Sequence, residues 1–573
     1  MPTPFVGEVF TFHDPDGTEI TVRGWGNQFA AVFETLDGYT VVKDPASGYY
    51  HYATLSADKS ELLPSGTRVG EVSTQQLSLP QHLRVSPGAQ KARAQAAQDA
   101  TGVKPRWQTR REQRRRPGAQ PGSASDEEEG PSLAATGGYT GLCLLVQFPD
   151  VSGTISTQEV NQYCNQQGYA NFGNNGSVRD YFHDVSGGRL TYTNVVTSYY
   201  TTTHNRDYYT NPSVSYGTRA RELIIEALDH LKSQGFNFNQ LTADNAGFVR
   251  ALNVFYAGPR VNNWSEGLWP HAWALASAYV ASSTRRFSDY QITNMGGQLA
   301  LRTFCHENGH MICDFPDLYD YGGESSGVGH YCLMAAGGAG INPTQVCAYL
   351  KNQAGWADPV RNGTPGMAAS VSATTNDFLI HQKNATEYFI IENRQQTGRD
   401  TALPDAGVAI WHVDENGSNN NEQMTPAQHY ECSLEQADGH FDLEHRANSG
   451  DGTDLFGAPA HRQFGNATTP NSRWWDGTSS GLEIIDVSAS GSSMTVTTQA
   501  AWQNDRTVLR THAKSGSKQA WVFLQGESIW HSVDAGSADS TTNLLMTLSE
   551  GLANNRKVDV LIRDGRVVEA TLK

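Results

Sequence analysis

The residues with the clearest chemistry in this sequence are two histidines and a glutamate in the run Cys-His-Glu-Asn-Gly-His at residues 305–310. Side chains four residues apart lie on one face of a helix, one turn from each other. Two imidazoles at this spacing can bind one Zn²⁺, and a Glu beside the first His can reach a water on the metal. The run therefore predicts zinc at His306 and His310, with Glu307 as the general base that activates the water.

The residues around this run predict that it lies on a buried helix. Apolar residues flank it at positions that suit a helix over residues 297–313, namely Leu299, Leu301, Phe304, Met311 and Ile312. A buried face with two His and a Glu is costly unless these groups have partners. A zinc ion would be such a partner, so the surroundings favour a metal site over a chance pair of histidines.

A catalytic zinc usually takes three protein ligands and keeps one position for water. The third ligand is expected soon after the helix, where residues 311–320 read Met-Ile-Cys-Asp-Phe-Pro-Asp-Leu-Tyr-Asp. This segment has three carboxylates, at Asp314, Asp317 and Asp320, and each of them is a candidate ligand.

The same segment resembles the one that follows the zinc helix in the M6, immune-inhibitor-A-like metallopeptidases. These usually read H-E-x-x-H-x-x-G-x-P-D-x-Y-D, whereas this chain has one residue more before its Pro-Asp pair and no Gly at the turn. Aligning the two Pro-Asp pairs puts Asp314 at the Gly position, and Asp tolerates the left-handed backbone conformation better than most residues. The resemblance implies Asp317 as the third ligand, with Asp314 and Asp320 as alternatives.

Further segments are similar to M6 sequences. Residues 329–338, Gly-His-Tyr-Cys-Leu-Met-Ala-Ala-Gly-Gly, resemble the tight turn that places a methionine beneath the zinc, here Met334. Tyr319, His330 and Tyr331 are candidates for holding the oxyanion or the substrate. Shorter similarities lie at residues 179–182, 269–273, 387–394 and 410–414, so that the resemblance covers most of residues 5–500.

The resemblance implies a zinc-dependent endopeptidase that acts on proteins or peptides, is made as a zymogen and is secreted. Its fold would be metzincin-like α+β. This resemblance and the strand, helix and turn patterns together predict five parts of the chain. They are an N-terminal β-rich module and candidate pro-region (1–86), a disordered charged linker (87–136), the catalytic domain (137–365), a β-sandwich-like region (366–501) and a small C-terminal α/β or β unit (502–573).

The linker is predicted from blocks of like charge without an apolar face. A basic run at residues 110–116 is followed by Pro, Gly and Ser and then by an acidic run at 126–129. The basic run is also a candidate processing site, at which cleavage would release the N-terminal module.

Composition narrows the class of partner. The net charge of −17 over 573 residues disfavours nucleic acid, which usually needs a basic face. No apolar run reaches the roughly 20 residues that cross a bilayer. The first residues lack the basic start and apolar stretch of a secretory signal, so secretion is an expectation from the M6 resemblance alone. The oligomeric state is not predicted.

Three alternatives stay open. The enzyme could be a zinc peptidase of another clan, with a distant Glu such as Glu392 or Glu415 as third ligand. The chain could be a degenerate peptidase that binds a surface or a glycan through its β-rich C-terminal half. Finally, residues 448–454 suit an ordinary polar turn, but Asp451 and Asp454 could instead be ligands of a Ca²⁺ loop.

Overall fold

The computed structural model describes residues 4–100, 102–114, 134–357, 360–363, 366–420, 424–457, 459, 461–515, 519–525, 530–533, 537–563 and 566–573. Within them the chain is a mixed α+β protein, as the sequence predicts. None of the helices in these residues is both long and apolar enough to cross a membrane.

The N-terminal module is an antiparallel sheet of six strands in sequence order. Its strands are β1 (Phe5–His13), β2 (Glu19–Gly26), β3 (Ala31–Thr35), β4 (Thr40–Lys43), β5 (Tyr50–Leu55) and β6 (Leu62–Arg68). Phe10 and Phe12 alternate with exposed residues and so point to one side of the sheet. There they pack against Trp269 of the part that follows residue 137, with ring centroids 5.6 and 6.3 Å away. The module is therefore attached to that part through a shared aromatic cluster.

Two helices lie in the segment predicted to be a disordered linker, α1 (Pro87–Asp99) and α2 (Arg106–Arg114). The prediction failed for them because α2 has no apolar face that could signal its burial. Its buried face consists of Trp107, Arg110 and Arg111, and the two arginines pair with carboxylates far away in the sequence. The end of the basic run at 115–116 and the acidic run at 126–129 lie outside the described residues.

The part of the chain from residue 137 to 365 is built on a five-stranded sheet of order β10-β11-β9-β7-β8. Its strands are β7 (Gly137–Gln147), β8 (Leu190–Thr201), β9 (Leu252–Tyr256), β10 (His271–Val280) and β11 (Arg286–Asn294). All neighbours are parallel except the edge strand β10, which runs antiparallel to β11. One edge of the sheet is therefore an antiparallel strand.

Helices cover both faces of this sheet. They are α3 (Thr157–Asn165), α4 (Val178–Val185), α5 (Arg206–Tyr209), α6 (Thr218–Ser233), α7 (Leu301–Cys313) and α8 (Ala348–Gln353). Alternate residues of β7 point to opposite faces. Leu144 packs in the cluster that includes α6, and Leu145 packs in the cluster that includes α3, α4 and α7. The helix α7 thus lies in the main core, and it begins four residues later than the sequence predicts.

The region 366–501 contains two sheets that share a core. One has the order β12-β14-β15-β16-β17 and the other β13-β19-β18. The strands are β12 (Val360–Asn362), β13 (Ala368–Ser372), β14 (Phe378–Gln382), β15 (Glu387–Arg394), β16 (Gly407–Asp414), β17 (Cys432–Leu434), β18 (Ile484–Val487) and β19 (Ser493–Thr498). Residues Phe389 and Ile391 of β15 face the smaller sheet, as in a sandwich, whereas Tyr388 and Ile390 belong to the main core that includes α3, α4 and α7. The predicted boundary at 365 is therefore not a break in the core.

The C-terminal unit has a core of its own. Six strands in the order β20-β24-β25-β23-β22-β21 pack against one helix. These elements are β20 (Ala501–Arg506), β21 (Val508–Ala513), β22 (Ala520–Leu524), β23 (His531–Val533), α9 (Ala538–Ala553), β24 (Val558–Arg563) and β25 (Arg566–Leu572). It is an α/β unit, one of the two forms that the sequence allows.

Candidate metal centre

The two histidines of α7, His306 and His310, are held so that their Nε2 atoms point to one common place. The Nδ1 of His306 lies 2.9 Å from the carbonyl oxygen of Leu333, and the Nδ1 of His310 lies 2.6 Å from that of Phe315. A carbonyl oxygen only accepts, so each Nδ1 carries the proton and each Nε2 keeps its lone pair. The two Nε2 atoms are 3.2 Å apart.

The carboxylate of Asp317 completes this group. Its Oδ1 lies 2.9 Å from the Nε2 of His306 and 3.2 Å from the Nε2 of His310. Its Oδ2 accepts a hydrogen bond of 2.6 Å from the hydroxyl of Tyr321. Two imidazole nitrogens and one carboxylate oxygen that converge in this way fit a zinc ion, which binds such donors and leaves a fourth position open.

Burial makes a cation at this place physically reasonable. His306 is fully buried, and His310 and Asp317 are each 1% exposed. Lone pairs that face one another inside a protein need a proton or a metal ion between them. Burial alone would raise the pKa of the Asp317 carboxyl, but the two imidazoles beside it hold that pKa well below its usual range.

The other candidate ligands have different roles. The Asp320 carboxylate accepts hydrogen bonds from the backbone N–H groups of Gly322, Glu324 and Ser325, at 2.7, 2.6 and 3.2 Å, and burial raises its pKa to about 6. It stabilises a turn. Asp314 ends α7 in the left-handed conformation that the alignment predicts, with φ of 56°. Its carboxylate accepts from Arg110, so it does not join the two histidines.

The distant glutamates also lie elsewhere. The Oε1 of Glu392 accepts from the guanidinium of Arg394 at 3.2 Å and from the indole of Trp411 at 2.9 Å. The carboxylate of Glu415 accepts from the hydroxyl of Tyr388 at 3.2 Å. Of the carboxylates that the sequence nominates, the structure brings Asp317 to the two histidines.

Glu307 follows His306 on α7 and is 2% exposed. Burial raises the pKa of Tyr319 well above its usual value, and the charges of Asp317 and Glu307 raise it further. The phenol therefore keeps its proton beside both carboxylates and can act as a hydrogen-bond donor.

Tyr321, which positions Asp317, was missed by sequence reasoning. No signal in the sequence indicated this contact, because residues 317–321 are not helical.

Met334 lies directly against α7. A Cβ atom on Gly309 would lie 3.0 Å from the Met334 sulfur and 3.4 Å from the Phe315 ring. The carbonyl of Met334 accepts from the N–H of Leu318 at 2.8 Å, and the preceding carbonyl holds His306. The turn therefore supports the ligands from below, and a glycine in the motif allows it to come this close.

The remaining predicted substrate residues do not meet the ligands among the described contacts. The hydroxyl of Tyr331 lies 2.8 Å from Oδ1 of Asp405 and 3.0 Å from Oδ2 of Asp454, away from the histidines, and donates its one proton to this pair of carboxylates. The pKa of His330 is lowered by burial and then by the charge of Arg302. Tyr319 is thus the one of the three that the structure brings to the metal ligands.

A second acidic group contains both predicted calcium residues. One carboxylate oxygen each of Asp438, Asp451 and Asp454 lies within 4.8 Å of the others. Burial raises the pKa of Asp454 to about 7 and that of the neighbouring Asp405 to about 6. Asp454 also accepts from the N–H of Asp451 at 2.8 Å, as in an ordinary polar turn. The group can hold a cation, and Asp438 is a member that the sequence did not indicate.

Helix α2 covers the histidine site. The Trp107 ring is stacked on the His310 ring, with centroids 4.6 Å apart and an angle of 21° between planes. The backbone N–H groups of Arg106 and Trp107 donate to the two oxygens of Asp289, at 2.8 and 3.1 Å. Because α2 is fixed at its first turn and packed on a ligand ring, it closes the site to solvent in this conformation.

A cavity of about 600 Å³ lies beside α2. Its walls include Trp107 of α2, Ala272 and Trp273 of the edge strand β10, Pro316 beside Asp317, and Glu431. It lies between α2 and the edge strand of the sheet.

No protein-family model matches this chain, and no curated protein sequence matches it.

Proposed function

We infer that this chain is a zinc-dependent endopeptidase of the M6-like, metzincin-like type. The observation that carries the proposal is the convergence of His306 Nε2, His310 Nε2 and Asp317 Oδ1 on one buried point beside Glu307. Two histidines and a carboxylate are a donor set of catalytic zinc sites. A retained acid–base residue on the same helix favours an enzyme over a degenerate peptidase that only binds.

A zinc ion held there would act as a Lewis acid on a peptide carbonyl and would make a bound water more acidic. Glu307 accepts a proton from the attacking water and passes it to the leaving amine. The Tyr319 phenol, which keeps its proton, donates to the oxygen on which negative charge develops. The carbonyls of Leu333 and Phe315 fix the histidine tautomers, and this keeps both Nε2 atoms available to the metal.

The surrounding architecture supports a metzincin-like arrangement. The sheet ends in the antiparallel edge strand β10, and Met334 lies beneath the histidine helix. An extended peptide can add to such an edge as a further strand, which would carry its scissile bond along the cavity to the ligands. Secretion remains an expectation from the M6 resemblance.

The described conformation is latent. With Trp107 on His310 and the ligands buried, a protein substrate cannot reach Glu307. Residues up to 114 therefore have the role of a pro-region in this proposal, with α2 as its inhibitory part, and activity requires that α2 leaves the cleft. Calcium at Asp438, Asp451 and Asp454 is a second metal proposal that rests on the grouping of their oxygens.

Metal content and proteolysis test the function. We expect one zinc per chain. In chain opened by Trp107→Ala, Arg110→Ala and Arg111→Ala together, we expect casein cleavage that is lost with a chelator and restored by zinc, and a loss of at least about a hundredfold in rate when Glu307→Ala is added at unchanged zinc content. Asp317→Asn should lose zinc, whereas the matched control Asp320→Asn should keep it. Cleavage by Glu307→Ala at the wild-type rate, or zinc loss in the control variant alone, would refute the assignment.

A further inference from the structure

The inhibitory helix α2 places two arginines in buried acidic positions beside the candidate metal centre. Arg110 and Arg111 follow Trp107 by three and four residues, so all three side chains lie on one helix face. Since Trp107 is stacked on His310, this face points to the site. The positions of the two guanidinium groups therefore mark places within the cleft where a basic side chain is accepted.

The first position is Asp314, the residue that ends α7. Its Oδ1 accepts from the Nε of Arg110 at 2.9 Å and from its Nη2 at 2.6 Å, and the carbonyl of Met311 accepts from the same Nη2 at 3.1 Å. Side-chain exposure is 5% for Arg110 and 3% for Asp314. Fixed acceptors that meet a guanidinium from several directions select a basic group by geometry as well as by charge.

The second position is Glu431. Its Oε1 pairs with the Nη2 of Arg111 and accepts from the hydroxyl of the fully buried Tyr349. Glu431 also lines the cavity that runs along Ala272 and Trp273 of the edge strand. When α2 leaves the cleft, Glu431 and Asp314 both lose a guanidinium and become accessible from the cleft. Another cation that enters the cleft restores the pairing.

We propose that Asp314 and Glu431 form subsites for Arg and Lys side chains, so that the opened enzyme cleaves peptide bonds flanked by basic residues. The inference rests on the proposed peptidase function and adds the substrate class. The inhibitory helix occupies the cleft by presenting the side chains that substrates present. It escapes cleavage because it is helical, whereas a peptide that pairs with an edge strand must be extended.

The test uses full-length chain opened by Trp107→Ala, Arg110→Ala and Arg111→Ala together. Its substrates are peptides that differ at one residue beside the scissile bond, which is Arg, the neutral isostere citrulline, or Glu. We expect the Arg peptide to be cleaved about ten- to a hundredfold faster than the citrulline peptide, the ratio that a charge-assisted hydrogen bond gives. Adding Glu431→Gln or Asp314→Asn should reduce this ratio to about threefold or less, and because both peptides are compared on the same variant, a change in its overall rate does not affect the ratio.

The matched control is Asp486→Asn, since Asp486 also pairs with an arginine, Arg462, at 2.7 Å but on the surface of β18. It should leave the ratio unchanged. Equal rates on Arg and citrulline peptides, or a preference that survives both cleft substitutions, would overturn the inference while the peptidase function stands. No cleavage of any peptide by the zinc-loaded chain would instead reject the peptidase function.

The single variant Trp107→Ala is the second background, because it keeps both buried ion pairs and does not expose their carboxylates. There the Arg peptide competes with the chain's own Arg110 and Arg111. Isothermal titration with uncleavable Arg and citrulline peptides then measures binding without turnover. Tighter binding of the Arg peptide by about tenfold supports the subsites, and equal affinities contradict them.

Discussion

The substitution Arg110→Ala should open the latent chain. Arg110 makes three hydrogen bonds shorter than 3.2 Å, two to Asp314 and one to the Met311 carbonyl, and its Nη1 lies 3.6 Å from Asp244. Both partners of its main ion pair are almost fully buried. Removing one partner of such a pair costs about 3–5 kcal/mol, because the other charge stays behind in the closed conformation.

This loss of about 3–5 kcal/mol destabilises the closed conformation and not the open one, because solvent reaches Asp314 when the cleft is open. Each 1.4 kcal/mol changes the ratio of closed to open chain about tenfold. A loss of about 3 kcal/mol thus raises the open fraction, and with it the basal proteolysis of uncut chain, by about a hundredfold as long as the open state is a minority.

The assay compares initial rates of casein cleavage by zinc-loaded, uncut wild-type and variant chains. Arg179→Ala is the matched control, because Arg179 on α4 pairs with Asp180 at 3.4 Å and is partly exposed. Such a pair contributes about 0–1 kcal/mol, so the control should stay latent. A correctly folded Arg110→Ala chain with full zinc content and wild-type basal activity would refute the reasoning that α2 locks the cleft.

Three further outcomes follow from the same contacts. Gly309→Ala places a Cβ 3.0 Å from the sulfur of Met334 and should lower the free energy of unfolding in urea by about 1–3 kcal/mol. At Gly297 a Cβ meets nothing within 4 Å, so the control Gly297→Ala should be tolerated. Tyr321→Phe removes the hydrogen bond to Asp317 and should weaken zinc binding about 10- to 100-fold by competition with a chelator, and unchanged affinity would contradict this. The folded-state pKa of Asp454, raised to about 7, lies above its unfolded value, so its contribution to stability is present at low pH and is lost between the two pKa values; without added cations the melting temperature should fall between about pH 4 and 7 and level off above pH 7, and less so in Asp454→Asn.

The grouping of His306, His310 and Asp317 could be predicted from the sequence because its geometry is local, and their binding of zinc stays a prediction. Two histidines one helical turn apart share a face whatever the rest of the chain does. Asp317 follows the helix by a few residues, so a short turn returns it to the same place, and a Gly-like conformation at Asp314 was inferable from what Asp tolerates. The N-terminal module and the region 366–501 were predictable as strand-rich for a similar reason, since the alternation of side chains between the two faces of a strand shows in its local sequence.

The inhibitory helix could not be predicted in this way. Its sequence, Arg-Trp-Gln-Thr-Arg-Arg-Glu-Gln-Arg, has the composition of a solvated tether. It is ordered by Asp289, Asp314 and Glu431, and these carboxylates come from a sheet strand, the end of the metal helix and the start of a distant strand. Pairing over such separations depends on the tertiary structure, which a pattern of charges along one segment does not encode. Tyr331 was misplaced for the same reason, because its partners Asp405 and Asp454 are equally remote.

Asp314 both ends α7 and pairs with Arg110 of α2. In the M6 pattern a glycine ends the zinc helix, and a glycine there has no side chain to offer. In this chain an Asp adopts the left-handed conformation, with φ of 56°, and its carboxylate is then directed at Arg110 of the inhibitory helix. Asp314→Gly would keep the turn, since glycine adopts positive φ without strain, but would remove the acceptor. Zinc binding should therefore be retained while latency and the preference for basic substrates are both weakened, whereas a role in helix capping alone would leave latency and preference unchanged.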